Sequence, residues 1–60
     1  MNKWNAKRIL DFRLKLDLSQ KDFGARLGVT QVYISLLESG QKTPSMTLQK
    51  LLDCVKKEGR

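Results

Sequence analysis

The chain has sixty residues, with twelve Lys and Arg against six Asp and Glu, no His, a single Cys and 40% apolar side chains. A chain of this length buries only roughly 60% of its unfolded surface, which leaves room for one small domain over residues 1–60 and excludes a large internal pocket. The absence of His and the lone Cys exclude a Cys/His zinc cluster, a Ser-His-Asp triad and an internal disulfide, so no enzyme activity, cofactor or metal is expected.

A net charge of +6 with a pI near 9.9 favours polyanionic partners, nucleic acid before an anionic membrane surface. Lysines that merely keep a small domain in solution are the alternative reading of the charge by itself. The basic residues run from Lys3 to Arg60 without forming a polybasic tail. No apolar run approaches the length of a membrane span or a signal-peptide core, and a reducing, cytoplasmic setting is expected.

Helix punctuation divides the chain. Asn5 can cap a first helix over about 5–16, with Trp4 before the cap and Ile9 inside it forming a hydrophobic staple. At roughly 100° per residue Ile9, Phe12 and Leu16 share the core face, while Leu10 and Leu14 form a second apolar strip. Asp17-Leu18 reads as a turn. Ser19 then caps a second helix over about 20–27, with Leu18 and Phe23 as its staple and Gly28 as its stop. Gly24 inside that helix costs about 1 kcal/mol relative to Ala, which predicts that another helix approaches closely there.

Thr30 caps a third helix over about 31–39 that ends at Gly40, and two helices joined through a short Gly-containing turn describe a helix-turn-helix. With Gln31 at 0°, Ile34 lies at roughly 300° and Leu37 at roughly 240°, which sets the core direction. Ser35, Val32 and Leu36 then fall opposite, at roughly 40°, 100° and 140°, with Gln31 at the edge. An outward helical face without a charge is unusual on a chain that is 30% charged. A last helix over about 46–57 starts at Thr43-Pro44 or with Ser45 as its cap, and Met46, Leu48, Leu51, Leu52 and Val55 give it an apolar stripe. Cys54 at that spacing is expected to be a small core hydrophobe. Residues 58–60 are expected to fray.

Ile9, Phe12 and Arg13, then Leu18-Ser19-Gln20, Phe23-Gly24, Leu27-Gly28-Val29-Thr30, Ile34, Leu37-Glu38, Gly40 and Pro44-Ser45 together resemble the Cro/repressor-type, XRE-like helix-turn-helix family of phage and bacterial regulators. The resemblance implies a compact all-α domain of four helices, close to the lambda-repressor fold, whose third helix enters the major groove of double-stranded DNA. It also implies a two-fold homodimer on a palindromic operator, with transcriptional repression as the usual outcome.

By resemblance Gln31, Val32 and Leu36 fall at base-reading positions, with Ser35 beside them. A Gln amide can bond adenine in a bidentate way, and Val32 and Leu36 suit thymine methyl groups. Gln20 at the start of the second helix suits a phosphate. Tyr33 either sends its hydroxyl to a phosphate or covers the core edge. The family's backbone-contacting loop corresponds to Ser39, Gly40, Gln41, Lys42 and Thr43, and Arg13 and Glu38 hold the positions of an ion pair joining the first and third helices.

Three features depart from the family pattern: Asp17 stands where a turn former such as Gly is usual, the stretch from Pro44 to Leu48 is one residue shorter, and the usual fifth helix is short or missing. Leu10, Leu14, Cys54 and Val55 thereby lack an evident cover and are candidate dimer contacts. In the alternative arrangement the last helix swings against the first and covers them internally. A second function class also stands at this point, a protein-interaction module, antirepressor- or antitoxin-like, that uses the uncharged face of the third helix.

Overall fold

The computed structural model describes residues 4–59. Four helices follow in order, α1 (Ala6–Lys15), α2 (Gln20–Leu27), α3 (Gln31–Glu38) and α4 (Met46–Gly59), with no strand among the described residues. Each helix starts where a side-chain oxygen accepts a backbone N–H that the first turn leaves without a partner. Asn5 Oδ1 accepts from Arg8 N–H at 2.8 Å, Ser19 Oγ from Asp22 at 3.0 Å, Thr30 Oγ1 from Tyr33 at 3.1 Å and Ser45 Oγ from Leu48 at 3.1 Å. Of the two starts open to the last helix, the fold takes Ser45. Pro44 lies just outside that cap and is buried.

The first three helices stop in the same way. Asp17 (φ 60°), Gly28 (φ 79°) and Gly40 (φ 84°) are left-handed, and each stop makes the paired backbone bonds of a Schellman motif. In these pairs Leu18 N–H reaches Arg13 O, Val29 N–H reaches Gly24 O and Gln41 N–H reaches Leu36 O. The inner bonds run from Asp17 to Leu14 O, from Gly28 to Ala25 O and from Gly40 to Leu37 O. Asp is among the few non-Gly residues that tolerate this conformation, so the turn after α1 takes a left-handed stop without a Gly.

Each helix contributes to one core of Trp4, Ile9, Phe23, Leu27, Ile34, Leu37, Leu48, Leu52 and Val55, with Phe12, Leu16, Leu18, Val29 and Tyr33 packed around it. Burying each Leu, Ile or Phe contributes about 1.5–3 kcal/mol, so truncating any one of them removes a large fraction of the stability of so small a domain. α3 packs on both α1 and α2, and α4 closes against α2. Trp4, ahead of α1, ties the two ends of the chain together. Its indole N–H donates to Asp53 Oδ1 at 3.0 Å, and its ring lies 5.3 Å from that of Phe12.

Several sequence expectations change here. Val55 is 7% exposed and belongs to the core, buried as α4 closes against α2 rather than against α1, so it is not available as a dimer contact. Leu10 is half-buried, while Leu14 remains 59% exposed. Cys54 is exposed and is not a core residue, and Met46 and Leu51 also face outward because the core face of α4 runs through Leu48, Leu52 and Val55. What approaches Gly24 is the turn into α3 rather than a helix body: a Cβ there would lie 2.7 Å from Val29 O and 3.2 Å from the Thr30 carbonyl. α4 also extends through Gly59, past the expected end at 57. Of the residues expected to fray, Arg60 lies outside the described residues, as does Lys3 among the basic ones.

Candidate nucleic-acid interface

α3 presents its two faces as its angular arithmetic requires. Ile34 and Leu37 are buried, whereas Gln31, Val32 and Ser35 are exposed and Leu36 is half-buried at their border. Val32 stands 68% exposed, a large apolar side chain held in solvent at the first turn of the helix. The carboxylate of Glu38, the only charged group on α3, turns away from this face into the protein. Tyr33 is half-buried and packs against the core.

A part-buried polar network sets the direction in which that face points. Arg13 Nε and Nη2 donate to Glu38 Oε2 and Oε1 at 2.7 and 3.2 Å, a bidentate pair whose side chains are only 14% and 6% exposed. The third guanidinium nitrogen, Nη1, donates to Leu18 O at 2.9 Å in the turn between α1 and α2. Gln20 Nε2 donates to Glu38 Oε1 at 3.0 Å, so the first residue of α2 joins the same carboxylate. Charge-assisted and bidentate bonds are among the strongest available to side chains, and this set fixes the end of α3 to α1, to the turn and to the start of α2.

The ion pair is thus formed by the two residues that the resemblance indicates. The role of Gln20 differs from the expectation in one respect: an amide proton assigned to phosphate is committed to Glu38, leaving the second amide proton and the helix-end backbone N–H groups on that side. No spacing rule links Gln20 to Glu38, eighteen residues on, and sequence reasoning missed this bond.

The loop after α3 is equally constrained. Leu36 O accepts from the backbone N–H of Gln41 and Lys42 and from Ser39 Oγ, and Gln41 Nε2 donates to Ser39 Oγ at 3.1 Å. Ser39 and Gln41 therefore brace the loop, while Lys42 and Thr43 are exposed beyond it. Lys21 on α2 and Lys50 on α4 are also exposed cations. Among the described residues no group of His, Cys, Asp and Glu could hold a metal ion, and no helix is long and apolar enough to cross a membrane.

A family model described as helix-turn-helix matches residues 9–54, from the staple residue of α1 to the exposed Cys of α4. No curated protein and no solved structure matches the chain. The matched span contains the capped α2, the Gly28 turn, the outward face of α3 and the ion pair that holds it, and the chain belongs to the Cro/XRE-type helix-turn-helix family of DNA-binding transcription regulators.

Proposed function

We propose that the chain is a sequence-specific regulator, a repressor, that reads an operator by inserting α3 into the major groove of double-stranded DNA. The observation that carries this reading is the exposed, uncharged face of Gln31, Val32, Ser35 and Leu36 on a chain of net charge +6. Charge supplies affinity for phosphates but carries no sequence information, whereas short polar and apolar side chains at the start of an exposed helix are what base edges require. Gln31 suits an adenine, and Val32 and Leu36 suit thymine methyls, so A·T pairs are expected under this face.

Lys42 and Thr43, with the backbone around Ser39 and Gln41, serve as phosphate contacts beside α3. The second amide proton of Gln20, the N–H groups at the start of α2 and the hydroxyl of Tyr33 serve on the other side. Two copies bind a palindromic operator in the cytoplasm, each presenting one α3 to a half-site about one helical turn from the other.

Selection from a randomised duplex pool, followed by anisotropy at several salt concentrations, tests this reading. A palindromic consensus with affinity falling steeply with salt is expected. An unpaired half-site would remove the dimer and keep the reading helix. No enrichment, with only weak salt-sensitive binding, would overturn operator reading and favour a protein partner for the same face.

A further inference from the structure

On α1, away from the outward face of α3, lies an open groove of about 470 Å³ lined by Trp4, Arg8, Asp11, Phe12, Leu14, Lys15 and Lys56. Its floor is apolar, with the half-buried Phe12 ring beside the 59% exposed Leu14 and the buried Trp4 ring packed 5.3 Å behind Phe12. Its rim is basic. Arg8 stacks over Trp4 at 5.3 Å, Lys15 and Lys56 are exposed, and the one acid, Asp11, already faces Lys7 Nζ at 3.5 Å. Neither α2, α3 nor the loop after α3 contributes a residue to it.

We propose that this groove docks an acidic amphipathic segment of a partner protein, which sets a bulky apolar side chain against Phe12 and Leu14 and its flanking carboxylates on Lys15, Lys56 and Arg8. The charge decides the occupant. A second copy of the chain would bring the same excess of cations, twelve against six acids, to a rim that is already basic. A nucleic-acid backbone has no apolar group to fill the floor. An acidic helix or strand with one large apolar anchor satisfies both the floor and the rim, which is the usual division of an interface into an apolar centre and a polar edge. The inference is independent of operator reading, since the two surfaces share no residue.

The test is selection of a randomised peptide pool, about twelve residues long, against the intact chain, followed by titration of the enriched peptides into isotope-labelled protein. Winners are expected to carry an aromatic or Leu anchor among Asp and Glu, and to shift the Trp4 indole N–H and Leu14 methyl resonances while leaving Val32 unmoved. The double variant Lys15→Glu, Lys56→Glu should weaken them roughly tenfold or more, through like-charge repulsion, and Lys42→Glu should not. Leu14→Asn, at a position too exposed to disturb the core, should weaken them as well. The proposal is overturned by an absence of enrichment, by winners without acids, by shifts centred on Val32, or by indifference to the Lys15 and Lys56 reversals. It is equally overturned if concentrating the chain alone, or adding a random-sequence duplex, moves the same Trp4 and Leu14 resonances.

Discussion

Replacing Gly24 by Ala should destabilise the protein, although helix propensity predicts the reverse. An interior Gly→Ala exchange in an unhindered helix gains about 1 kcal/mol. Here the added Cβ would sit 2.7 Å from Val29 O and 3.2 Å from Thr30 C and O, against an ordinary contact of 3.4–4 Å. The offending atoms are backbone, and they belong to the turn that Gly24 O itself anchors by accepting Val29 N–H at 2.8 Å. They cannot swing aside as a side-chain tip would, so α3 must move away from α2 as a unit. Overpacking of this kind costs about 1–3 kcal/mol, and set against the propensity gain it leaves a net loss of up to about 2 kcal/mol, centred near 1 kcal/mol. For a domain of this size each 1 kcal/mol corresponds to roughly 4–8 °C in Tm, so thermal unfolding followed by circular dichroism should register a clear decrease. DNA affinity should fall by more than the folded fraction does, because α3 is displaced as well as loosened. A variant with a raised Tm would refute the close approach of the turn at Val29 and Thr30 to Gly24.

Four further outcomes are expected. Glu38→Gln leaves the Arg13 guanidinium, 14% exposed, without its carboxylate, and should cost about 3–5 kcal/mol in urea unfolding; a loss below about 1 kcal/mol would show that the pair does not hold α3. Asp17→Gly removes an L-residue from φ 60° and a carboxylate from a helix C-terminus, and should raise stability by about 0.5–1 kcal/mol, detected as a higher Tm with circular dichroism otherwise unchanged. Trp4→Phe keeps an aromatic ring in the core but deletes the bond to Asp53, and should lower stability by about 1 kcal/mol or somewhat more in the same urea titration. On DNA, Gln31→Ala should relax base preference at one position by about 1–3 kcal/mol, whereas Lys42→Ala should weaken all sequences alike and reduce the salt slope by about one, both read from anisotropy with matched and mismatched duplexes.

Local chemistry made much of the fold legible. Asn5, Ser19, Thr30 and Ser45 are short oxygen-bearing side chains, and each caps the helix expected of it because a first turn always leaves backbone donors to satisfy. Gly28 and Gly40 end helices because a left-handed residue is cheapest without a Cβ. The inward and outward faces of α3 were equally readable, since a helix of known phase assigns every side chain once two core residues are identified. For the candidate interface this placed Gln31, Val32 and Ser35 in solvent, with Leu36 at the border.

Contacts between distant residues were decided only by the tertiary structure. Phase groups Cys54 and Val55 with an apolar stripe but does not say which edge of the stripe meets the core; the docking of α4 on α2 buries Val55 and leaves Cys54, Met46 and Leu51 outside. The Gln20–Glu38 bond and the Trp4–Asp53 bond join residues 18 and 49 positions apart, beyond any helical spacing. The groove of Trp4, Phe12, Leu14, Lys15 and Lys56 exists because the two ends of the chain meet there. Capping and left-handed stops are interactions within a few residues and are written in local order, whereas burial depends on which surfaces remain once four helices have competed for one small core.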